Sequence, residues 1–202
     1  MDFTTSRTHF RRLFSRAVEG PSVTALRALH VTPNQLTTCG LIVAGIAAYL
    51  LTQGWLLATG LVLLASGFFD LLDGALARRT GQATAFGAVL DSVSDRIGEA
   101  AVFLGLLIFY QRQDQMAAVV LCYVALVTSY MVSYARSRAE GVGTQGAVGF
   151  AGRAERIVIL SIALIAGYPF PALIVISVLA TLTFLQRVYH VWRTARPPNG
   201  PA

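Results

Sequence analysis

Lysine is absent from this 202-residue chain, so its net charge of +6 is carried by 16 arginines set against ten acids. Guanidinium groups recognise phosphate in a planar, two-pronged way. The basic balance therefore points to anionic lipid and phosphate as partners, and away from nucleic acid. Charge of any sign is scarce: 13% of residues are charged and 55% are hydrophobic, where an average soluble domain carries about 25% charged residues. That composition excludes an ordinary soluble domain and describes a membrane protein of a length suited to one domain. Cysteine is limited to Cys39 and Cys122, each inside an apolar run, where a buried filler is expected rather than a disulfide. His9, His30 and His190 are scattered, which argues against a histidine-based metal site. No secretory signal is expected, because the first 20 residues are polar and arginine-bearing without an apolar core. Internal repeats and low-complexity stretches are missing as well.

What the chain does have is apolar segments near the roughly 20 residues that span a bilayer. Six are expected, at about 34–53, 55–78, 83–110, 115–137, 154–168 and 171–190. Residues 1–31 interleave Arg7, Arg11, Arg12, Arg16 and Arg27 with apolar residues, and Phe10, Phe14 and Val18 share one helical face. That pattern predicts an amphipathic helix lying on an anionic membrane surface. Thr32-Pro33-Asn34 reads as a helix start, with Thr32 as cap and proline in the first turn. The expected architecture is an all-α integral membrane protein forming a single domain over 1–202. Its parts are the interfacial segment 1–31, a six-helix bundle over 34–190 and a tail over 191–202. With the N-terminus inside, 15 of the 16 arginines fall on inner segments, leaving only Arg112 outside. The positive-inside rule then places both termini on the cytoplasmic side of the cell membrane.

Within this apolar frame, residues 70–95 read DLLDGALARRTGQATAFGAVLDSVSD. Asp70 and Asp73 are spaced i, i+3; Asp91 and Asp95 are spaced i, i+4. Each pair lies on one face of a helix, and the turn signal Arg79-Thr80-Gly81-Gln82 separates them. Asp70 and Asp91 are each about 15 Å from that turn at 1.5 Å per residue. In an antiparallel helix pair all four carboxylates can face one gap. Each ionised side chain at mid-bilayer costs at least about 2.5–3.5 kcal/mol, so a cation must compensate. Carboxylates favour hard divalent ions such as Mg²⁺ or Mn²⁺. The alternative is pairing with Arg78, Arg79 and Arg96, or exposure to water. Two ions held by four acids could clamp a diphosphate, with a nearby carboxylate taking a proton from an attacking hydroxyl.

The series Asp70, Asp73, Gly74, Ala77, Arg78, Gly87, Asp91 and Asp95 resembles the complete signature of the CDP-alcohol phosphotransferase (phosphatidyltransferase) family. The resemblance implies that Asp70, Asp73, Asp91 and Asp95 bind two Mg²⁺ or Mn²⁺ ions, with Asp95 also the general base. It implies that Gly74, Arg78, Thr84 and Gly87 border a CDP-lipid such as CDP-diacylglycerol. Asn34, Gln35, Leu36 and Thr37 resemble the family's stretch at the start of the first spanning helix, beside the same lipid. The reaction implied is attack of an alcohol on the lipid-side phosphorus, with CMP leaving.

Two further stretches, 133–140 and 149–156, are similar to the phosphatidylinositol phosphate synthases of that family and their archaeal-type relatives. The similarity makes inositol 1-phosphate the expected acceptor, with Ser133, Arg136, Arg138, Arg153, Arg156 and Arg187 as its pocket. Arg136 stands where the actinobacterial type is expected to carry lysine; arginine keeps the charge but changes the geometry. Glycerol 3-phosphate, the acceptor of phosphatidylglycerophosphate synthases, carries the same dianionic phosphate and is the rival. A homodimer is expected from the resemblance. Two readings of other classes compete: a divalent-cation transporter using the same acids, and a lipid-binding scaffold without activity. The first is disfavoured by the lack of polar residues in the outer halves of the segments, the second by the intact signature.

Overall fold

In the computed structural model, residues 20–144, 148–149 and 151–194 are described. Among them the secondary structure is entirely helical: α1 (Gly20–Ala28), α2 (Pro33–Thr52), α3 (Leu56–Thr80), α4 (Ala85–Gln111), α5 (Met116–Gly141), α6 (Arg153–Ile165) and α7 (Pro169–Thr194). Six of the seven follow the six apolar segments expected from the sequence. The amphipathic pattern at Phe10, Phe14 and Val18 lies outside the described residues, as does the tail beyond 194; of the interfacial segment 1–31 only residues 20–31 are described.

Four helices, α2, α3, α5 and α7, are long and apolar enough to cross a membrane. Helix α4 has the length, 27 residues, but Asp95, Arg96 and Glu99 sit together in its middle. Helix α6 has 13 residues, about 20 Å at 1.5 Å per residue, against a hydrocarbon core of about 30 Å. The crossing helices leave long apolar stripes uncovered by protein. On α3 these are Leu57, Leu61, Leu64 and Phe68; on α7 they are Ile174, Val178, Leu182 and Leu185. Contiguous exposed apolar surface of this extent is unstable in water and suits lipid. Helix α7 also carries Tyr168 before its start and Tyr189 and Trp192 in its last turns, all exposed, as membrane-interface aromatics do.

The chain divides into two compact units, Met1–Val43 with Ala65–Ile97, and Ala44–Leu64 with Gly98–Ala202. In the first, the entry to α2 is a reciprocal capping box. Gln35 N–H donates to Thr32 Oγ1 (3.4 Å), and Thr32 N–H donates to Gln35 Oε1 (2.8 Å). Pro33 occupies the first helical position, where its missing N–H costs nothing. Val31 and Leu36 flank this cap and pack with Val23, Leu72, Ala75 and Leu76 in a small core, the hydrophobic staple that often accompanies such a box. Helix α3 ends at Gly81, whose φ of +69° allows the N–H of Gln82 to reach back to the Ala77 carbonyl at 3.1 Å. Thr84 then caps α4, its Oγ1 accepting from the Gly87 N–H at 3.0 Å.

The second unit has the larger core, built around Leu51, Val102, Phe103, Leu106, Cys122, Leu164, Leu173 and Ile176. Helix α7 packs along both α5 and α6. Small residues set the helix spacing here. A Cβ on Gly105 would lie 2.6 Å from the Ala48 carbonyl oxygen, and one on Gly60 would lie 2.7 Å from that of Ser161. Close backbone approach at glycine is how helices associate where no hydrophobic force drives them together.

Candidate active site

Within the first unit, the ends of α2, α3 and α4 enclose a cavity of about 220 Å³. Helix α2 contributes Pro33, Asn34 and Thr37; α3 contributes Asp73, Gly74, Ala77 and Arg78. The turn adds Gln82, Ala83 and Thr84, and α4 adds Gly87, Ala88 and Asp91. Eight residues expected at the site, Asn34, Thr37, Asp73, Gly74, Arg78, Thr84, Gly87 and Asp91, thus line one space together with the signature residue Ala77.

Asp73 is the most enclosed of the four aspartates, 4% exposed. Its Oδ2 accepts a 2.6 Å hydrogen bond from Thr37 Oγ1. Asp70 and Asp91 lie close enough for their charges to act on it. Asp70 is half-buried and sits against α2 where that helix has no side chain: a Cβ on Gly40 would be 3.1 Å from Asp70 Oδ1. Ser66 holds the same approach by donating to the Gly40 carbonyl at 2.9 Å. Asp95 lies on α4, half-buried, with the Arg96 guanidinium at 3.9 Å. Arg96 also donates to the Ser92 carbonyl at 2.6 Å.

The donor set is all-oxygen and anionic, which fits a hard divalent cation. Among the described residues no three acidic, cysteine or histidine side chains converge on one point. The glycines keep the cavity open. A Cβ on Gly74 would press on Arg78 Nη1 at 3.1 Å, and one on Gly87 would press on Thr84 Oγ1 (3.1 Å) and Asn34 Oδ1 (3.2 Å). Arg78 is exposed and folds over Gly74, where a guanidinium can meet a phosphate.

Two residues expected at the lipid site have other work. Gln35 completes the capping box, and Leu36 is buried in the small core; neither lines the cavity. Four contributions escaped sequence reasoning: the cap at Thr84, the space at Gly40, the Thr37–Asp73 bond and the role of Glu99. Glu99 carried a signal, since it follows Asp95 by the same four-residue step that separates Asp91 from Asp95.

The second unit holds the expected acceptor residues. Glu99 (8% exposed) and Arg156 (2%) form a buried pair. Oε1 of Glu99 accepts from Arg156 Nε at 3.0 Å and Nη2 at 2.8 Å, and Oε2 accepts from Nη2 at 3.1 Å. Arg187, also buried, donates from Nε to the Val148 carbonyl (2.8 Å) and from Nη1 to that of Val132 (2.6 Å). The same loop is pinned by Thr183 Oγ1, which accepts from the Ala151 N–H at 3.1 Å. Gly149, at φ +121°, lies so close to Thr183 that a Cβ would fall 2.4 Å from its methyl carbon. Arg136 and Arg156 are near enough to Arg187 for their like charges to act on it. Arg136 meets Glu140 at 2.8 Å, both about half exposed, a surface pair worth about 0.3–0.5 kcal/mol that a ligand can displace. Arg153 shares a face of α6 with Arg156, and Ser133 precedes Arg136 by three residues; both are half-buried, whereas Arg138 is exposed.

The CDP-alcohol phosphatidyltransferase family model matches residues 30–194. The archaetidylinositol phosphate synthase of Pyrococcus horikoshii is 41% identical over 169 residues, covering 82% of this chain and 86% of that protein. The phosphatidylinositol phosphate synthase of Mycobacterium bovis is 40% identical over 195 residues, covering 90% and 88% respectively. Crystal structures of the Mycobacterium tuberculosis phosphatidylinositol phosphate synthase superpose with TM-scores of 0.81 with CDP-DAG bound and 0.82 in complex with manganese and citrate, both at 32% identity. These cover 92% of this chain, and 98% and 94% of the respective structures. The chain belongs to the CDP-alcohol phosphatidyltransferase family. It is an enzyme of phospholipid synthesis in a membrane, and the transporter and inactive-scaffold readings fall away.

Proposed function

We propose that this protein transfers the phosphatidyl group of a CDP-diacylglycerol to inositol 1-phosphate, giving phosphatidylinositol phosphate and CMP. The observation that carries the reading is the single cavity in which Asp73, Asp91, Arg78, Gly74, Thr84 and Gly87 meet. Asp70, Asp73, Asp91 and Asp95 would hold two Mg²⁺ or Mn²⁺ ions, which when bound polarise the diphosphate and stabilise the departing CMP. Arg78 pairs with a phosphate oxygen, and the bare backbone at Gly74 and Gly87 admits the nucleotide close to the helices. Asn34 and Thr84 offer polar atoms at the mouth of the same space. Asp95 accepts the proton of the acceptor hydroxyl as its oxygen bonds to the lipid-side phosphorus. The phosphate of the acceptor is held by Arg153, Arg156 and Arg187, with Ser133, Arg136 and Arg138 beside them.

We further read the chain as one membrane domain of six spans. Helix α4 crosses because its acids turn inward, and short α6 begins its span at the arginine-bearing end. Arginine counts favour the cytoplasmic side for both termini and the site. A homodimer is the expected assembly, checked by cross-linking in membranes. The decisive assay is CMP release from CDP-diacylglycerol by purified protein with Mg²⁺ or Mn²⁺, offering inositol 1-phosphate, free inositol, glycerol 3-phosphate and serine in parallel. Turnover with inositol 1-phosphate alone is expected. Turnover with glycerol 3-phosphate instead overturns the acceptor while leaving the chemistry in place.

A further inference from the structure

The Glu99–Arg156 pair is built in a way that packing does not explain. A guanidinium has five N–H donors. Glu99 takes up the Nε and Nη2 edges of Arg156 through three contacts of 2.8–3.1 Å. The two donors on Nη1 remain, buried and without a hydrogen-bond partner among the described residues. An unsatisfied donor on a buried charged group is costly. For stability alone, an apolar pair of the same volume serves as well as a buried ion pair. Charge nearby adds to the case. Arg136 and Arg187 bear on the same region; Arg187 has Nε and Nη1 tied to carbonyls, and Arg136 is held by exposed Glu140. Glu140 and Glu155 also act on Arg187, but Glu99 is the carboxylate that is bonded to Arg156.

We propose that Glu99 is a positioning residue for the acceptor: it locks the Arg156 guanidinium so that its Nη1 edge is presented, desolvated, to an oxygen of the acceptor's phosphate monoester. This rests on the acceptor pocket named above. Fixing the fork in advance removes the rotamer entropy that a free arginine would lose on binding, and Glu99 never touches the substrate itself.

The test uses the full-length protein in detergent or nanodiscs, with CDP-diacylglycerol, saturating Mn²⁺ and varied inositol 1-phosphate. Glu99→Gln keeps the volume and loses the charge. Its acceptor KM is expected to rise by roughly tenfold or more, the usual scale for losing a partner that orients a binding group. The KM for CDP-diacylglycerol should stay within about twofold, and Glu99→Asp should recover part of the loss. Glu99→Leu with Arg156→Met keeps a packed core and should retain its Tm while losing saturable acceptor binding, as expected if Arg156 makes the contact; Glu99→Asp, which keeps Arg156, carries the test of Glu99 should Glu99→Gln not fold. An unchanged acceptor KM in either variant overturns the proposal, as does an equal rise in both KM values. If wild type turns over only glycerol 3-phosphate, the acceptor assignment has failed, and Glu99 is judged by the same criteria on the KM for that compound.

Discussion

Thr37→Val separates the geometry of the Asp73 carboxylate from its presence. The substitution is nearly isosteric and removes one hydroxyl. In the native structure that hydroxyl lies 2.6 Å from Asp73 Oδ2 and 3.2 Å from the Pro33 carbonyl. It has one hydrogen, and the shorter, charged acceptor receives it. Thr37 is 5% exposed and Asp73 4%, and both line the cavity, so a water replacing the lost donor would have to come from that space and would not reproduce the fixed direction of the hydroxyl. A hydrogen bond to a charged group contributes about 1.5–3 kcal/mol. Removing one that orients a metal-ligating carboxylate weakens metal affinity or activity by roughly 10- to 100-fold. The expectation is a shift of that size in the Mn²⁺ concentration for half-maximal CMP release. A matching shift should appear in Mn²⁺ binding followed by electron paramagnetic resonance, which does not depend on turnover. Thr37→Ser keeps the hydroxyl and should stay near wild type. If Thr37→Val binds Mn²⁺ and turns over as wild type does, Asp73 is not a ligand oriented by Thr37, and the metal role given to it here is wrong.

Gly40→Val places a branched side chain where a Cβ already comes within 3.1 Å of Asp70 Oδ1 and 3.3 Å of Phe69 Cβ; Mn²⁺ binding and CMP release should fall together while detergent extraction is unchanged. Asp95→Asn should abolish CMP release with yield and Tm preserved, and normal turnover would remove Asp95 as the base. Arg153→Ala should raise the acceptor KM far more than that of the CDP-lipid; equal effects would argue against a phosphate pocket there. Gly105→Ala must push α2 from α4, since its Cβ meets backbone at 2.6 Å; overpacking of this kind costs about 1–3 kcal/mol, seen as a lower Tm in detergent with unchanged KM values.

Much of this protein is legible before folding, because lipid leaves the backbone few choices. With no water to satisfy N–H and C=O groups, apolar runs of spanning length have to be helices. Six segments were therefore expected, and six helices stand within a few residues of them. The aspartates are legible for a related reason: charge in an apolar helix is expensive enough to be retained only for use. Gly74 and Gly87 could be named, but not what they spare; Arg78 folds over Gly74 from one turn along the same helix, whereas the approach of Asn34 to Gly87 depends on helix ends distant in sequence. Sequence spacing set Asp70 and Asp73 on one face. It did not reveal that Thr37, 36 residues earlier, donates to Asp73, or that Gly40 leaves room for Asp70.

The arginines divide in the same way. Composition showed that all the positive charge is guanidinium and where along the chain it gathers. It did not distinguish Arg136, half exposed beside Glu140, from Arg156, sealed against Glu99, or from Arg187, tied to two carbonyls. The covalent chain fixes which groups are present and at what helical phase. Which of them share a desolvated space, and which donors are left over for a ligand, follows only from how helices far apart in sequence pack, because burial and partner choice are properties of neighbours in space.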